Sequence, residues 1–64
     1  MASLDKRVIV EFVKVGAYVK VSAIDPTTKV EVSIVGDPSM SQTTLERTVV
    51  QKLKYVLNKR KQVN

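Results

Sequence analysis

The chain has 64 residues, 44% of them hydrophobic and 27% charged, with a net charge of +5 and neither cysteine nor histidine. This length allows one domain, and so short a chain buries only about 60% of its unfolded surface. Without cysteine there can be no disulfide and no thiolate metal site, and without histidine only carboxylates could bind a metal. The six acidic residues are scattered. We therefore predict no metal and no cofactor, and association remains as the way to enlarge the core.

Targeting signals are not evident. No segment approaches the roughly 18 consecutive apolar residues of a membrane span. The start, MASLDKR, lacks the apolar core of a secretory signal. We predict a cytoplasmic protein that does not bind membranes. The positive charge lies in the last third, because residues 1–41 hold five basic and five acidic residues, whereas residues 42–64 hold six basic residues and one acidic residue.

The first predicted element is a β-hairpin. Two segments rich in β-branched residues, 7–15 and 18–24, flank Gly16-Ala17. Glycine at the first position of a two-residue turn favours type II′, whose twist matches that of the strands. The turn pairs Val15 with Tyr18. It places these residues on one face of the hairpin: Val8, Val10, Phe12, Lys14, Val19, Val21 and Ala23.

The segment DPTTK predicts a second turn. Asp25 followed by Pro26 favours a type I turn, since proline presets φ and the aspartate side chain can accept a hydrogen bond from the backbone ahead. A four-residue loop, either 25–28 or 26–29, brings a third strand onto the sheet. That strand adds Val30, Val32 and Ile34 to the same apolar face with either loop, so two independent turns agree on one apolar face.

A helix follows the third strand. Ser41 is a suitable N-cap, and Met40 and Leu45 are spaced to form a hydrophobic staple. Leucine and valine then recur at helical spacing, in a stripe formed by Leu45, Val49, Leu53, Val56 and Leu57. Asn58 and the basic run at 59–61 close the helix, where cations oppose the negative end of its dipole.

These elements predict an α+β domain, a three-stranded antiparallel β-meander with one C-terminal α-helix packed on one face (βββα). We predict a single domain over residues 7–60, a flexible N-terminus over 1–6 and a flexible basic C-terminus over 61–64. The centre of the core is expected at Phe12, Val21, Val32 and Leu53.

The other face of the sheet is more apolar than a fully solvated face. Ile9, Val13, Tyr18 and Val35 lie on it and predict a contiguous apolar patch. We interpret these four residues as a candidate protein interface. The alternative is an ordinary exposed sheet rich in β-branched residues.

No catalytic constellation is evident. Hydroxyl groups cluster near the helix start, at Ser39, Ser41, Thr43 and Thr44, with the spacing that capping requires. The segment GDPS could present amides to an anion, but Asp37 would repel one. We predict that the chain is not an enzyme and has no small-molecule substrate.

The basic helix is a second candidate site. Arg47, Lys54 and Lys61 form one stripe on the side away from the apolar residues, and Lys52 and Lys59 form another along its flank. Two such basic stripes could follow a phosphate backbone. The alternative is the solvated outer side of a small helix.

Several segments resemble a known family. AIDP at 23–26, EV at 31–32, Gly36, SQ at 41–42, LER at 45–47 and KL at 52–53 are similar to motifs of short bacterial proteins described only as a domain of unknown function. The resemblance covers roughly residues 9–60. It implies no activity, substrate or cofactor. The family has glycine where this chain has Lys29, a residue type that is uncommon in the left-handed conformation expected there.

We therefore expect a small non-enzymatic interaction module that forms a homodimer or is a subunit of a larger assembly. A nucleic-acid-binding accessory protein that uses the basic helix is the alternative. The salt dependence of binding distinguishes the two hypotheses. Affinity for phosphates falls steeply with ionic strength, whereas apolar association through the sheet should be nearly insensitive to salt.

Overall fold

The computed structural model describes residues 8–62, and their side chains up to residue 60. It contains strands β1 (Ile9–Val15), β2 (Tyr18–Asp25) and β3 (Val30–Gly36), followed by helix α1 (Gln42–Gln62). The strands form an antiparallel sheet in the order β1-β2-β3. The predicted βββα fold is confirmed.

The register of the first hairpin is the one that the turn predicts. Val15 pairs with Tyr18 and Phe12 with Val21. Gly16 has φ of +57° while Ala17 does not have a positive φ, which is the pattern of a type II′ turn and excludes type I′. A two-residue loop therefore determines how all seven residues of β1 meet β2.

The second hairpin has the four-residue loop 26–29, because Asp25 pairs with Val30. Its closing hydrogen bond runs from Lys29 N to Asp25 O at 2.7 Å, so the loop closes as an α-turn, one residue longer than the predicted type I turn. Lys29 has φ of +67°, so the left-handed position implied by the family resemblance is present and is occupied by lysine. The Asp25 carboxylate accepts hydrogen bonds from Thr27 N and Thr28 Oγ1, both at 3.1 Å, and is almost fully buried.

The helix begins where the sequence predicts. Ser41 Oγ accepts a hydrogen bond from Thr44 N at 3.1 Å, and Ser41 O accepts the first helical bond, from Leu45 N. Ser41 is therefore the N-cap. The helix continues to Gln62, so residues 61 and 62 are helical. The other residues of the two predicted flexible ends, 1–6 and 63–64, lie outside the described residues.

The core lies between α1 and the inner face of the sheet. Its buried residues are Val21, Ala23, Val32, Leu45, Val49 and Leu53. Three of the four residues expected at its centre are among them, but Phe12 is only half-buried at the edge. The physical reason is the position of the helix, which packs across β2 and β3 and leaves much of β1 uncovered.

The length of α1 raises the question of a membrane location. Over residues 8–62, no helix combines the length and the apolar character of a membrane-spanning segment.

Candidate interaction surfaces

The outer face of the sheet carries large exposed apolar side chains. Alternation along the strands directs them away from α1. Val35 and Val13 are 65% and 51% exposed, and Ile9, Val15 and Tyr18 are exposed as well. All four residues of the candidate interface therefore lie on one exposed face.

The outer face is nevertheless not one apolar patch, which corrects the predicted contiguity. Glu11, Ser22 and Ser33 pair across the three strands and form a polar row. The hydroxyls of Ser22 and Ser33 share a hydrogen bond of 3.0 Å, so each of these two serines has a polar partner within the row. It separates Ile9 at one end from Val13, Val15, Tyr18 and Val35 at the other. The register brings three of the four predicted interface residues to the same end of the face and leaves Ile9 apart.

Charged side chains border the apolar groups. Lys20 pairs with Val13 on one side and with Val35 on the other, and its exposed side chain lies between them. Glu11 lies on the same face, one row away, and is also exposed. One acid and one base are therefore placed next to the main apolar group, an arrangement that can be complementary to itself.

The two edges of the sheet differ. In an antiparallel pair, every second residue directs its N–H and C=O to its partner strand and the others direct theirs away. On β3, Ser33 is an outward-directed residue, and its carbonyl accepts a hydrogen bond from Lys52 Nζ at 2.9 Å. On β1, the same alternation directs the backbone groups of Val10, Phe12 and Lys14 to an edge where the described residues place no further strand. The sequence did not reveal the Lys52 contact, because 19 positions separate the two residues.

The basic side chains of α1 do not form one surface. Lys52 lies over the β3 edge, whereas Arg47 lines a cleft beside Val8 and Val10 at the opposite flank. Lys59 Nζ lies 5.6 Å from the centre of the Tyr55 ring, with the tyrosine oxygen at 3.5 Å. The side chain of Lys61 lies outside the described residues. Lys54, the remaining predicted nucleic-acid contact, has an interaction partner of its own.

The cleft between β1 and α1 has a volume of about 350 Å³ and is open to solvent. It is lined by Val8, Val10, Thr43, Glu46, Arg47 and Val50. Its floor is apolar and its rim holds one acid and one base. The cleft exists because α1 lies over β2 and β3 rather than over β1.

The hydroxyl cluster near the helix start has structural roles. Ser41 caps the helix and also donates a hydrogen bond to Thr44 Oγ1 at 2.9 Å. The Asp37 carboxylate accepts a hydrogen bond from Ser39 N at 2.8 Å. That bond, together with the Ser39 side chain, lowers the pKa of Asp37. The loop amide that could have bound an external anion therefore already binds a carboxylate of this chain.

The described residues contain no group of three or more acidic, histidine or cysteine side chains that could hold a metal ion. Within this part of the chain, the acidic side chains form no such group in space.

Comparison with known proteins agrees with the resemblance noted in the sequence. The model of one family, described as a domain of unknown function (DUF6898), matches residues 5–61. The chain belongs to this family. No curated protein and no solved structure matches the chain.

Proposed function

We propose that this protein is a small non-enzymatic interaction module of the bacterial cytoplasm that associates with a second copy of itself through the outer face of its sheet. The observation that carries the proposal is the exposure of Val13, Val35 and Tyr18 on a face that no element of the described chain covers. Large apolar side chains grouped on an uncovered face favour association, because their burial removes apolar surface from water.

The charged residues on the outer face of the sheet favour a second copy of this chain as the binding partner. A two-fold contact brings each residue against the same surface of its partner. Lys20 of one copy can then approach Glu11 of the other, while Val13 and Val35 are buried between them. The small size of the domain supports the same partner, since six buried apolar residues form a limited core in the described part of the chain and dimer formation enlarges the buried apolar area.

The positions of the basic residues give less support to nucleic-acid binding. Lys52 and Arg47 lie on opposite flanks of α1, and Lys52 already donates to Ser33 O. A duplex backbone needs several cations that converge on one track. The outer face of the sheet, where a second copy would bind, carries Lys20 as well as two exposed acidic residues, Glu11 and Glu31.

The test is the mass in solution. At tens of micromolar, light scattering of the wild-type protein should give at least twice the chain mass of 7.1 kDa. Val35→Glu should halve that mass, because it places a charge in the apolar contact. The matched control is Gln51→Glu, which adds the same charge at an exposed position of α1 and should leave the mass unchanged.

A Val35→Glu variant that remains folded by circular dichroism and keeps the wild-type mass would overturn the face contact. Fluorescence anisotropy with a random DNA duplex tests the alternative function. We expect at most weak binding at low salt that is lost at physiological salt. Tight, sequence-selective binding at physiological salt would favour the nucleic-acid function instead.

A further inference from the structure

We infer that β1 is a second, independent contact, at which the β1 strands of two copies pair antiparallel and extend the sheet to six strands. This inference goes beyond the proposed function, because it uses an edge of the sheet rather than its outer face. It starts from the difference between the two edge strands. The β3 edge holds a hydrogen bond from Lys52 at the carbonyl of Ser33, whereas the β1 edge is not crossed by α1.

The turn geometry identifies the backbone groups that are available on β1. The pair that closes a two-residue hairpin loop is hydrogen-bonded across the strands, and here it is Val15 with Tyr18. Alternate residues of β1 therefore bond to β2, and Val10, Phe12 and Lys14 direct their N–H and C=O groups outward. The same rule makes the Ser33 carbonyl an outward group on β3, which agrees with its bond to Lys52.

The strand is complementary to itself in one register. A two-fold axis perpendicular to the sheet and passing beside Phe12 pairs Phe12 with Phe12, Val10 with Lys14, Glu11 with Val13 and Ile9 with Val15 of the other copy. All seven residues of β1 are then paired, and no two like charges lie opposite each other. A two-fold at Glu11 would oppose two carboxylates. A two-fold at Val13 would leave Ile9 and Val10 beyond the partner strand.

The inner face gives an independent reason for this contact. Phe12 and Val10 lie beside the core but remain only half-buried, because α1 covers the other two strands. In the proposed register, Phe12 of the second copy packs against Phe12 of the first, and Val10 lies against the aliphatic part of Lys14. The edge contact thus covers apolar surface that the helix leaves exposed.

The two contacts are geometrically compatible. The axis of the edge contact is perpendicular to the sheet, and the axis of the face contact lies parallel to it. Two perpendicular two-fold axes that intersect generate a tetramer with D2 symmetry, the commonest closed assembly after the dimer. With intersecting axes, the complete assembly has four chains, and an assembly that has lost either contact has two.

Lys14→Pro tests the edge contact. The Lys14 side chain is exposed and its N–H points away from β2, so proline removes no hydrogen bond of the sheet but blocks a strand from pairing at this edge. Lys14→Thr is the control, because it removes the same charge and keeps the N–H. Light scattering should give half the wild-type mass for Lys14→Pro and the wild-type mass for Lys14→Thr.

Combining variants separates this inference from the proposed function. Lys14→Pro with Val35→Glu should give single chains, and each variant alone should give pairs. If Lys14→Pro is folded and keeps the wild-type mass, the edge contact is wrong, whatever Val35→Glu does. If Val35→Glu alone has no effect while Lys14→Pro halves the mass, the face contact fails and the edge contact remains.

Hydrogen exchange of the wild-type protein decides the matter if the proline variant does not fold. The amides of Val10, Phe12 and Lys14 should exchange at least about tenfold more slowly when the protein concentration is raised from submicromolar to hundreds of micromolar. The amides of Glu11 and Val13, which bond to β2, should be protected at both concentrations. Unprotected edge amides at the higher concentration would overturn the inference.

Discussion

The two edge strands have the same length and opposite surroundings. Both β1 and β3 have seven residues. Val32 of β3 is buried beneath α1, Gly36 lies against Leu45, and the Ser33 carbonyl is bonded to Lys52. On β1 the apolar inner residues are half-buried, and the outward backbone groups face an edge that no other strand or helix of residues 8–62 covers. A single helix is too narrow to cover three strands, so its position determines which edge strand is closed by the chain itself.

The largest expected effect is a loss of stability when the packing of α1 is weakened, because the position of α1 makes the two edge strands different. Leu53 is 0% exposed and lies in the core with Val21 and Val32. Leu53→Ala should lower the free energy of unfolding by about 2–5 kcal/mol, because it leaves a cavity under α1. Leu57→Ala removes the same atoms from a half-buried site and should cost less. Urea unfolding at one fixed protein concentration measures both losses. Equal losses would contradict the difference in burial between Leu53 and Leu57.

A smaller effect is expected where β3 meets the helix most closely. A Cβ atom on Gly36 would overlap Leu45 Cδ2, and Leu45 is buried, so its side chain cannot move aside freely. Gly36→Ala should therefore cost about 1–3 kcal/mol of stability.

A double-mutant cycle with Leu45→Ala identifies the cause of that loss. The smaller side chain makes room for the new methyl group, so the two losses should not add, with a coupling of about 0.5–3 kcal/mol. Additive losses would show that Gly36 is needed for its backbone rather than for its contact with Leu45.

The smallest effect is expected at the closed edge. Lys52→Met keeps the aliphatic part of the side chain and removes the bond to Ser33 O. It should lower the free energy of unfolding by about 1 kcal/mol or less, since the bond is exposed. Lys59→Met is the control, because its contact with the Tyr55 oxygen is long, at 3.5 Å, and its loss should be smaller still. Both are measured by thermal unfolding, and a larger loss for Lys59→Met would contradict the assigned role of Lys52.

Local patterns in the sequence were sufficient for the fold. The period of two in the strands determines which side chains share a face, and the two-residue loop that begins at Gly16 determines the register of the first hairpin. A four-residue loop of either predicted span places β3 on the same apolar face, and the pairing of Asp25 with Val30 identifies the loop as 26–29. Ser41 and the stripe from Leu45 to Leu57 likewise define the helix and its buried side. These features are local because each depends on residues that are close together along the chain.

Local sequence patterns predicted the surfaces of the protein less well than its fold. The sequence places Phe12 on the correct face but cannot show that the helix passes beside it. It places Ile9 with Val13 on the outer face but does not show the serine pair that separates them. It assigns Lys52 to a basic stripe, whereas its ammonium group binds a strand 19 positions earlier.

By itself, therefore, the sequence determined the order of the elements, the register of the first hairpin and the apolar side of each element, because these follow from side-chain period and turn chemistry. Only the tertiary structure decided which strands the helix covers, which edge remains open and how the outer face is divided. These depend on the lateral position of α1 and on contacts between distant residues such as Gly36 with Leu45 and Ser33 with Lys52. Packing of whole elements sets those distances, and no local pattern specifies them.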